Sequence, residues 1–285
     1  MSKLLITGAS GQLGQLTIGA LTQKTDPANI IALVRTDAQA AEFAERGIAT
    51  RRGDYNDQAS LEAAFEGIDR LLFVSGSDVM NRMPQHKAIV SAAKAAGVGY
   101  IAYTSLLHAA DSPLALAADH KATEALIADS GIAYTFLRNG WYSENMLMSL
   151  EQDLNMGQHF GAAADGKFSF AARADLAEAA AIALLGGYDG QTLELAGDEA
   201  LTMAAYCAIL SDVAGKTVTY VDMPAQAYQE ALQGAGLPPE LAGFLASTDA
   251  QAANGALYDN SQTLSKMLGR PTVTMAEVLR NALQK

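Results

Sequence analysis

Apolar residues in the first half of the chain fall into short dense runs, separated by longer stretches in which they recur every three or four positions. The runs are KLLIT at 3–7, NIIALVR at 29–35, IATRRGD at 48–54, RLLFVSG at 70–76, GYIAYTS at 99–105 and AYTFLRNG at 133–140. Near-continuous apolarity of this kind predicts strands buried on both faces of a parallel sheet. The intervening stretches, Gln12 to Lys24, Ala38 to Arg46, Gln58 to Glu66, Gln85 to Ala96 and Asp119 to Asp129, carry the helical period. Gly47, Gly67, Gly97 and Gly131 stand where helix C-caps are expected. The alternation predicts an open, doubly wound α/β sheet. A closed (β/α)8 barrel competes with it, but the pattern changes after Gly140 and counts against closure.

Beyond Gly140 a helix is expected from Trp141 to Asn155, then a glycine-spaced segment, a helix from Asp175 to Leu185 and a strand at QTLELAG, 191–197. A helix from Thr202 to Gly215, a strand at TVTYVD and further helices separated by GAGLPPE and GRP complete the chain. The domain reading is a large nucleotide-binding domain over residues 1–150, to which part of 170–198 returns, and a smaller α/β substrate domain over the remainder of 151–285.

Between the first strand and the first helix stands Gly8-Ala9-Ser10-Gly11-Gln12-Leu13-Gly14, a GxxGxxG turn. In this context the first glycine allows the tight turn, the second lets backbone N–H groups approach a diphosphate, and the third lets helix and strand pack closely. The alternative is a glycine turn with only a packing role. An acidic residue at the end of the second strand suits the ribose hydroxyls of NAD, whereas an arginine suits a 2′-phosphate. Here the tip reads LVRTD, so Arg35 favours NADPH, with Asp37 close enough to compete for it. Asp54 and Tyr55 end the third strand where an adenine ring would lie, although Asp54 suits a turn equally well. Ser75, Gly76 and Ser77 end the fourth strand, and Thr104 and Ser105 place hydroxyls at the end of the fifth.

After the sixth strand, Asn139, Gly140, Trp141, Tyr142, Ser143 and Glu144 are expected at the carboxyl edge, where open α/β sheets bind ligands. Trp141 and Tyr142 suit an apolar wall for a flat acceptor, with core packing as the alternative for Trp141. Phe170 and Arg173 are a further candidate rim of the acceptor pocket. His120 is the candidate catalytic side chain, as proton donor or ribose holder, with a structural helix-start histidine as the alternative.

Composition narrows the partners. Among 285 residues, 19 Lys and Arg face 31 Asp and Glu, a net charge of −12, so attraction to nucleic acid or an anionic membrane is not expected. Cys207 is the sole cysteine, which excludes an intramolecular disulfide and fits a reducing, cytoplasmic setting. No metal-ligand spacing and no GxSxG elbow occurs, and nothing beyond the shared glycine turn points to a flavin.

ITGASGQLG, LVR, GDYND, DVMNRMPQHKAIVSAAKAAGV, YIAYTSLLHAADSPL, LRNGWYSEN and LAGDEALT together resemble the NmrA-like, atypical branch of the short-chain dehydrogenases, and within it the bacterial NAD(P)H:quinone oxidoreductases. The resemblance spans nearly the whole chain. It implies a Rossmann-type large domain, NADPH as hydride donor without flavin or metal, and a quinone or dye as acceptor, in a monomer or homodimer. It also implies cofactor contact by the 139–144 loop. One departure bears on mechanism: the YxxxK pair of typical dehydrogenases is missing. Aligned through Thr123 and Glu124, the helix gives Leu116 and His120 at those positions, and the register through Lys121 gives Ala117. Hydride transfer to an electron-poor ring needs less acid assistance, so positioning and desolvation are expected to carry it. A regulatory protein that senses NAD(P) and acts through protein partners is the alternative the same family allows.

Overall fold

The run Leu4–Ile6 forms β1, a central strand flanked on both sides, as its complete burial requires. In the computed structural model, which describes residues 2–284, it is followed by α1 (Gln12–Thr22), β2 (Ile30–Val34), α2 (Asp37–Glu45), β3 (Ala49–Arg52), α3 (Gln58–Phe65), β4 (Arg70–Phe73), α4 (Arg82–Ala95), β5 (Tyr100–Leu106), α5 (Ala117–Ser130) and β6 (Ala133–Asn139). Then come α6 (Leu150–Met156), β7 (Gln158–Gly161), α7 (Arg173–Leu185), β8 (Thr192–Leu195), α8 (Met203–Ala214), β9 (Thr219–Asp222), α9 (Ala225–Gly234), α10 (Pro239–Ala252), α11 (Thr263–Leu268) and α12 (Met275–Leu283). The main sheet runs β3-β2-β1-β4-β5-β6-β8, the Rossmann-type order expected. Its inner pairs are parallel, with Leu4 opposite both Ile30 and Arg70, and Arg70 opposite Tyr100.

Side chains alternate across the sheet. One face sets Leu5, Leu33, Leu71, Phe73, Ile101 and Tyr103 against Leu61 and Phe65 of α3, Ile89 of α4 and Ile127 of α5. The other face carries α7, which packs on β4 and β5 and against α1. There Tyr100 Oη donates to Ala183 O at 3.1 Å, and Arg70 Nε to Leu184 O at 2.6 Å. Gly47, Gly67, Gly97 and Gly131 all take positive φ at helix ends.

The chain divides into two units. The first comprises the residues up to Ala109 together with Ala118–Arg138 and Arg173–Leu193; the second comprises Ala110–Ala117, Asn139–Ala172 and the residues from Glu194 onward. The division therefore falls at Asn139 rather than at residue 150. The second unit contains the two-stranded parallel sheet β7-β9 with α6 and α8 to α12. The helix expected from Trp141 to Asn155 is broken: Tyr142 is extended, Ser143–Met148 is a 3-10 turn, and only Leu150–Met156 is α-helical. Strand β7 was not anticipated, because the glycine-spaced segment carries no apolar alternation.

Candidate functional site

The glycine turn leaves β1 through Thr7, whose Oγ1 accepts the Val74 N–H at 2.9 Å. Gly8 has a φ of +57°, and its carbonyl accepts the Gly11 N–H at 3.0 Å. A Cβ on Gly14 would lie 2.4 Å from Gly8 O and 2.8 Å from Ala9 Cα, so close helix–strand packing admits only glycine there. Gly11 is the N-cap of α1, and no side chain caps the helix. Helix geometry leaves the first-turn N–H groups of Gln12, Leu13 and Gly14 without intrahelical acceptors, at the positive end of the dipole. With Ser10, Gly11 and Gln12 exposed around it, this backbone has the chemistry that a diphosphate requires.

At the tip of β2, Arg35 is exposed. Asp37, its expected competitor, instead pairs with Arg52 at 3.6 Å. Asp54 is exposed and makes turn contacts, its Oδ1 accepting the Asn56 N–H at 2.9 Å and the Asn56 side-chain amide at 3.1 Å. Tyr55 turns its hydroxyl inward beside Gly8, where burial raises its pKa.

The exit of β4 is sewn to its neighbours. Thr104 Oγ1 accepts the Ser75 N–H at 2.9 Å, which assigns Thr104 a supporting role. The Gly76 peptide is held from both ends: its N–H donates to His86 Nε2 at 3.2 Å, and its carbonyl accepts from Arg82 Nε at 3.0 Å. A backbone donor at Nε2 fixes the His86 tautomer. The proton therefore sits on Nδ1, which donates to Thr123 Oγ1 at 2.8 Å, and that hydroxyl donates to Asp119 O at 2.8 Å. Burial, followed by nearby His120 and Arg82, pushes the His86 pKa down to about 3. Ser77 is exposed at the end of this segment.

His120 is equally enclosed. Its Nδ1 lies 2.9 Å from Tyr103 Oη, and burial, helped by Arg82, pushes its pKa down to about 3. A ring that stays neutral near pH 7 is no store of acid protons, so its available role is hydrogen bonding. Ser105 is directed away from the sheet edge: its Oγ donates to Glu124 Oε1 at 2.5 Å. In the first unit, Arg173 opens α7 and donates to Gln12 Oε1 at the glycine turn. In the second, Phe170 is buried and stacked on Phe168 with ring centroids 5.2 Å apart.

Within the second unit, the 139–144 segment is framed by two others. Gly140 N–H donates to Leu195 O at 2.7 Å, and a Cβ there would lie 3.1 Å from that oxygen. Ala171 N–H donates to Trp141 O, and Ser143 N–H to Ala171 O, each at 3.0 Å. Trp141 is half-buried, 6.4 Å from the Phe244 ring, and Tyr142 and Glu144 are partly exposed. Asn139 Oδ1 and Ser143 Oγ are buried with no hydrogen-bond partner among the described residues, a polar pair suited to a ligand. The described residues contain no cluster of His, Cys, Asp or Glu able to hold a metal ion, and no helix long and apolar enough to cross a membrane.

Sequence reasoning missed three contributors: Glu124, which carries Ser105 and Arg138; His86 as the acceptor for Gly76; and Gln39, bonded to Ser10. Only Gln39 had a readable signal, the spacing Thr36-x-x-Gln39 of a capping box.

A family model described as the NmrA-like family matches residues 1–267. Over 275 residues the chain is 49% identical to quinone oxidoreductase 2 of Escherichia coli (strain K12), with 96% of each chain covered. The crystal structure of an NADPH-dependent quinone oxidoreductase from E. coli complexed with NADPH matches with a TM-score of 0.96 at 48% identity, covering 98% of this chain and 99% of that one. Triphenylmethane reductase of Citrobacter sp., described in the bioremediation of triphenylmethane dyes, matches with a TM-score of 0.95 at 34% identity, covering 99% and 100%.

Proposed function

The chain belongs to the NmrA-like family, and on that premise we propose that it is an NADPH-dependent oxidoreductase that reduces quinones or similarly flat, electron-poor aromatic acceptors. The observation that carries the reading is the 49% identity to a quinone oxidoreductase across 96% of both chains. The site geometry supports it independently, through an uncapped helix N-terminus behind a glycine turn that admits no Cβ at Gly14.

Bound NADPH supplies the hydride. The backbone from Gly8 to Gly14 binds the diphosphate, and Arg35 pairs with the 2′-phosphate. Ser75, Gly76 and Ser77 give the cofactor a small-residue path along the β4 exit, held in place by Thr104, His86 and Arg82. Asn139 and Ser143 offer the buried oxygens for polar recognition, and Trp141 and Tyr142 offer apolar surface to the acceptor. His120 orients by hydrogen bonding, so the proton that completes reduction of the acceptor comes from water. In balance, acceptor, NADPH and one proton give the two-electron-reduced acceptor and NADP+.

The deciding experiment follows the absorbance of reduced nicotinamide in metal-free, flavin-free protein, with and without a simple benzoquinone. Saturable turnover above the uncatalysed rate is expected. Tight NADPH binding with no turnover over a panel of quinones and dyes would overturn the reading and favour a sensor of the cofactor.

A further inference from the structure

We propose that Gln39 is a positioning residue for cofactor choice, joining the glycine turn to the tip of β2 so that a 2′-phosphorylated dinucleotide is preferred; this rests on the reading that Arg35 holds that phosphate. Gln39 is the third residue of α2 and completes a capping box with Thr36, whose Oγ1 accepts the Gln39 N–H at 3.2 Å. An ordinary capping box returns the N3 side chain to the N-cap N–H alone. Here the shorter bond goes one residue further back. Gln39 Oε1 accepts the Arg35 N–H at 2.8 Å, and the Thr36 N–H at 3.3 Å. The other end of the same amide, Nε2, donates to Ser10 Oγ at 3.0 Å. One planar group thus ties the backbone of the phosphate-binding arginine to the hydroxyl at the crest of the diphosphate turn.

Glutamate serves a capping box as well as glutamine does, and a negative charge in the first helical turn is otherwise favourable. The helix alone therefore gives no reason for the neutral residue. The place does: a carboxylate at Gln39 would sit beside Arg35, in a chain of net charge −12, where a dianionic phosphate is to be held. The amide provides the two acceptor bonds and the donor bond without that repulsion.

The test compares Gln39→Glu, Gln39→Ala and Arg35→Ala with the parent protein. Titration calorimetry would measure binding of adenosine 2′,5′-bisphosphate and of adenosine 5′-monophosphate, and the ratio of kcat/KM for NADPH to that for NADH would give a second readout. Gln39→Glu is expected to keep the parent Tm and to lower both preferences about tenfold, the scale of one lost charge-assisted contact. Gln39→Ala is expected to lower them less. Unchanged preferences in both Gln39 variants, with Arg35→Ala lowering them, would reduce Gln39 to a helix cap and overturn the proposal. If Arg35→Ala changes neither preference, the reading of Arg35 fails and the proposal that rests on it falls with it, a result distinct from unchanged Gln39 variants beside an impaired Arg35→Ala.

Discussion

The guanidinium of Arg138 lies across both carboxylate oxygens of Glu124, with Nε 2.9 Å from Oε1 and Nη2 2.7 Å from Oε2. Their side chains are only 14% and 9% exposed. Ser105 adds a third bond to the same carboxylate, so the ends of β5 and β6 share one anchor on α5.

A buried pair of this kind is costly to break by halves, because the remaining charge is stranded. Glu124→Gln should lower stability by roughly 3–5 kcal/mol, or about 10 °C in Tm. The double variant Glu124→Leu with Arg138→Met should recover most of that loss. Thermal denaturation of the three proteins checks both points, and a single variant as stable as the parent would deny the pair its structural role.

Acid should destabilise the first unit through its histidines. Folded His86 and His120 have pKa values pushed down to about 3, below the ordinary 6.5 of an unfolded chain. The unfolded chain therefore binds more protons between those limits, and stability is lost as pH falls below about 6.5. Each site contributes a slope of about 1.4 kcal/mol per pH unit. His86→Gln can still accept the Gly76 N–H and should make the decline between pH 6 and 4 shallower by about one site's share. Denaturant titrations across that range would reveal an unaltered slope if His86 were already protonated in the fold.

Two glycines of α1 should respond in opposite senses. Gly14→Ala places a Cβ 2.4 Å from the Gly8 carbonyl oxygen and should weaken NADPH binding by at least about tenfold as the turn shifts. Gly19→Ala meets nothing within 4 Å and should stabilise the helix by about 0.5–1 kcal/mol. Equal effects on binding from the two substitutions would remove the turn geometry from the argument.

In the second unit, Asp249 accepts the Ala162 N–H at 3.0 Å, while burial, with Asp222 nearby, raises its pKa and His159 opposes the rise. A carboxyl whose folded pKa exceeds its unfolded value loses stabilisation as pH rises through that interval. Asp249→Asn keeps an acceptor for Ala162 and should raise Tm at pH 7, with the advantage shrinking in mild acid. A Tm difference that did not vary with pH would contradict this assignment.

Strands β1, β2, β4 and β5 were legible because burial on both faces demands unbroken apolar runs; β3, the partly exposed edge strand, and β6 also fall in their expected segments, and β5 runs one residue past its own to Leu106. The cap glycines were legible because positive φ excludes most side chains. The site was most legible where backbone makes it, at Gly8 to Gly14, because the spacing of glycines itself carries the turn. What Ser105 and Arg173 do depends on partners that the chain brings from elsewhere: Ser105 meets Glu124, and Arg173 meets Gln12 across 161 positions. No periodicity records such encounters. Nor does it record β7, whose parallel partner β9 enters the chain only at Thr219.

Cys207 gains a meaning from the acceptors proposed here. Quinones are electrophiles that add to thiolates, and an enzyme that handles them risks arylating itself. The sole sulfhydryl of this chain is buried in α8, and burial, with Asp153 adding to it, pushes its pKa up to about 12. At neutral pH it offers almost no nucleophile. The protein should therefore retain its full mass and activity through prolonged exposure to reactive acceptors that would inactivate a catalyst bearing surface thiols.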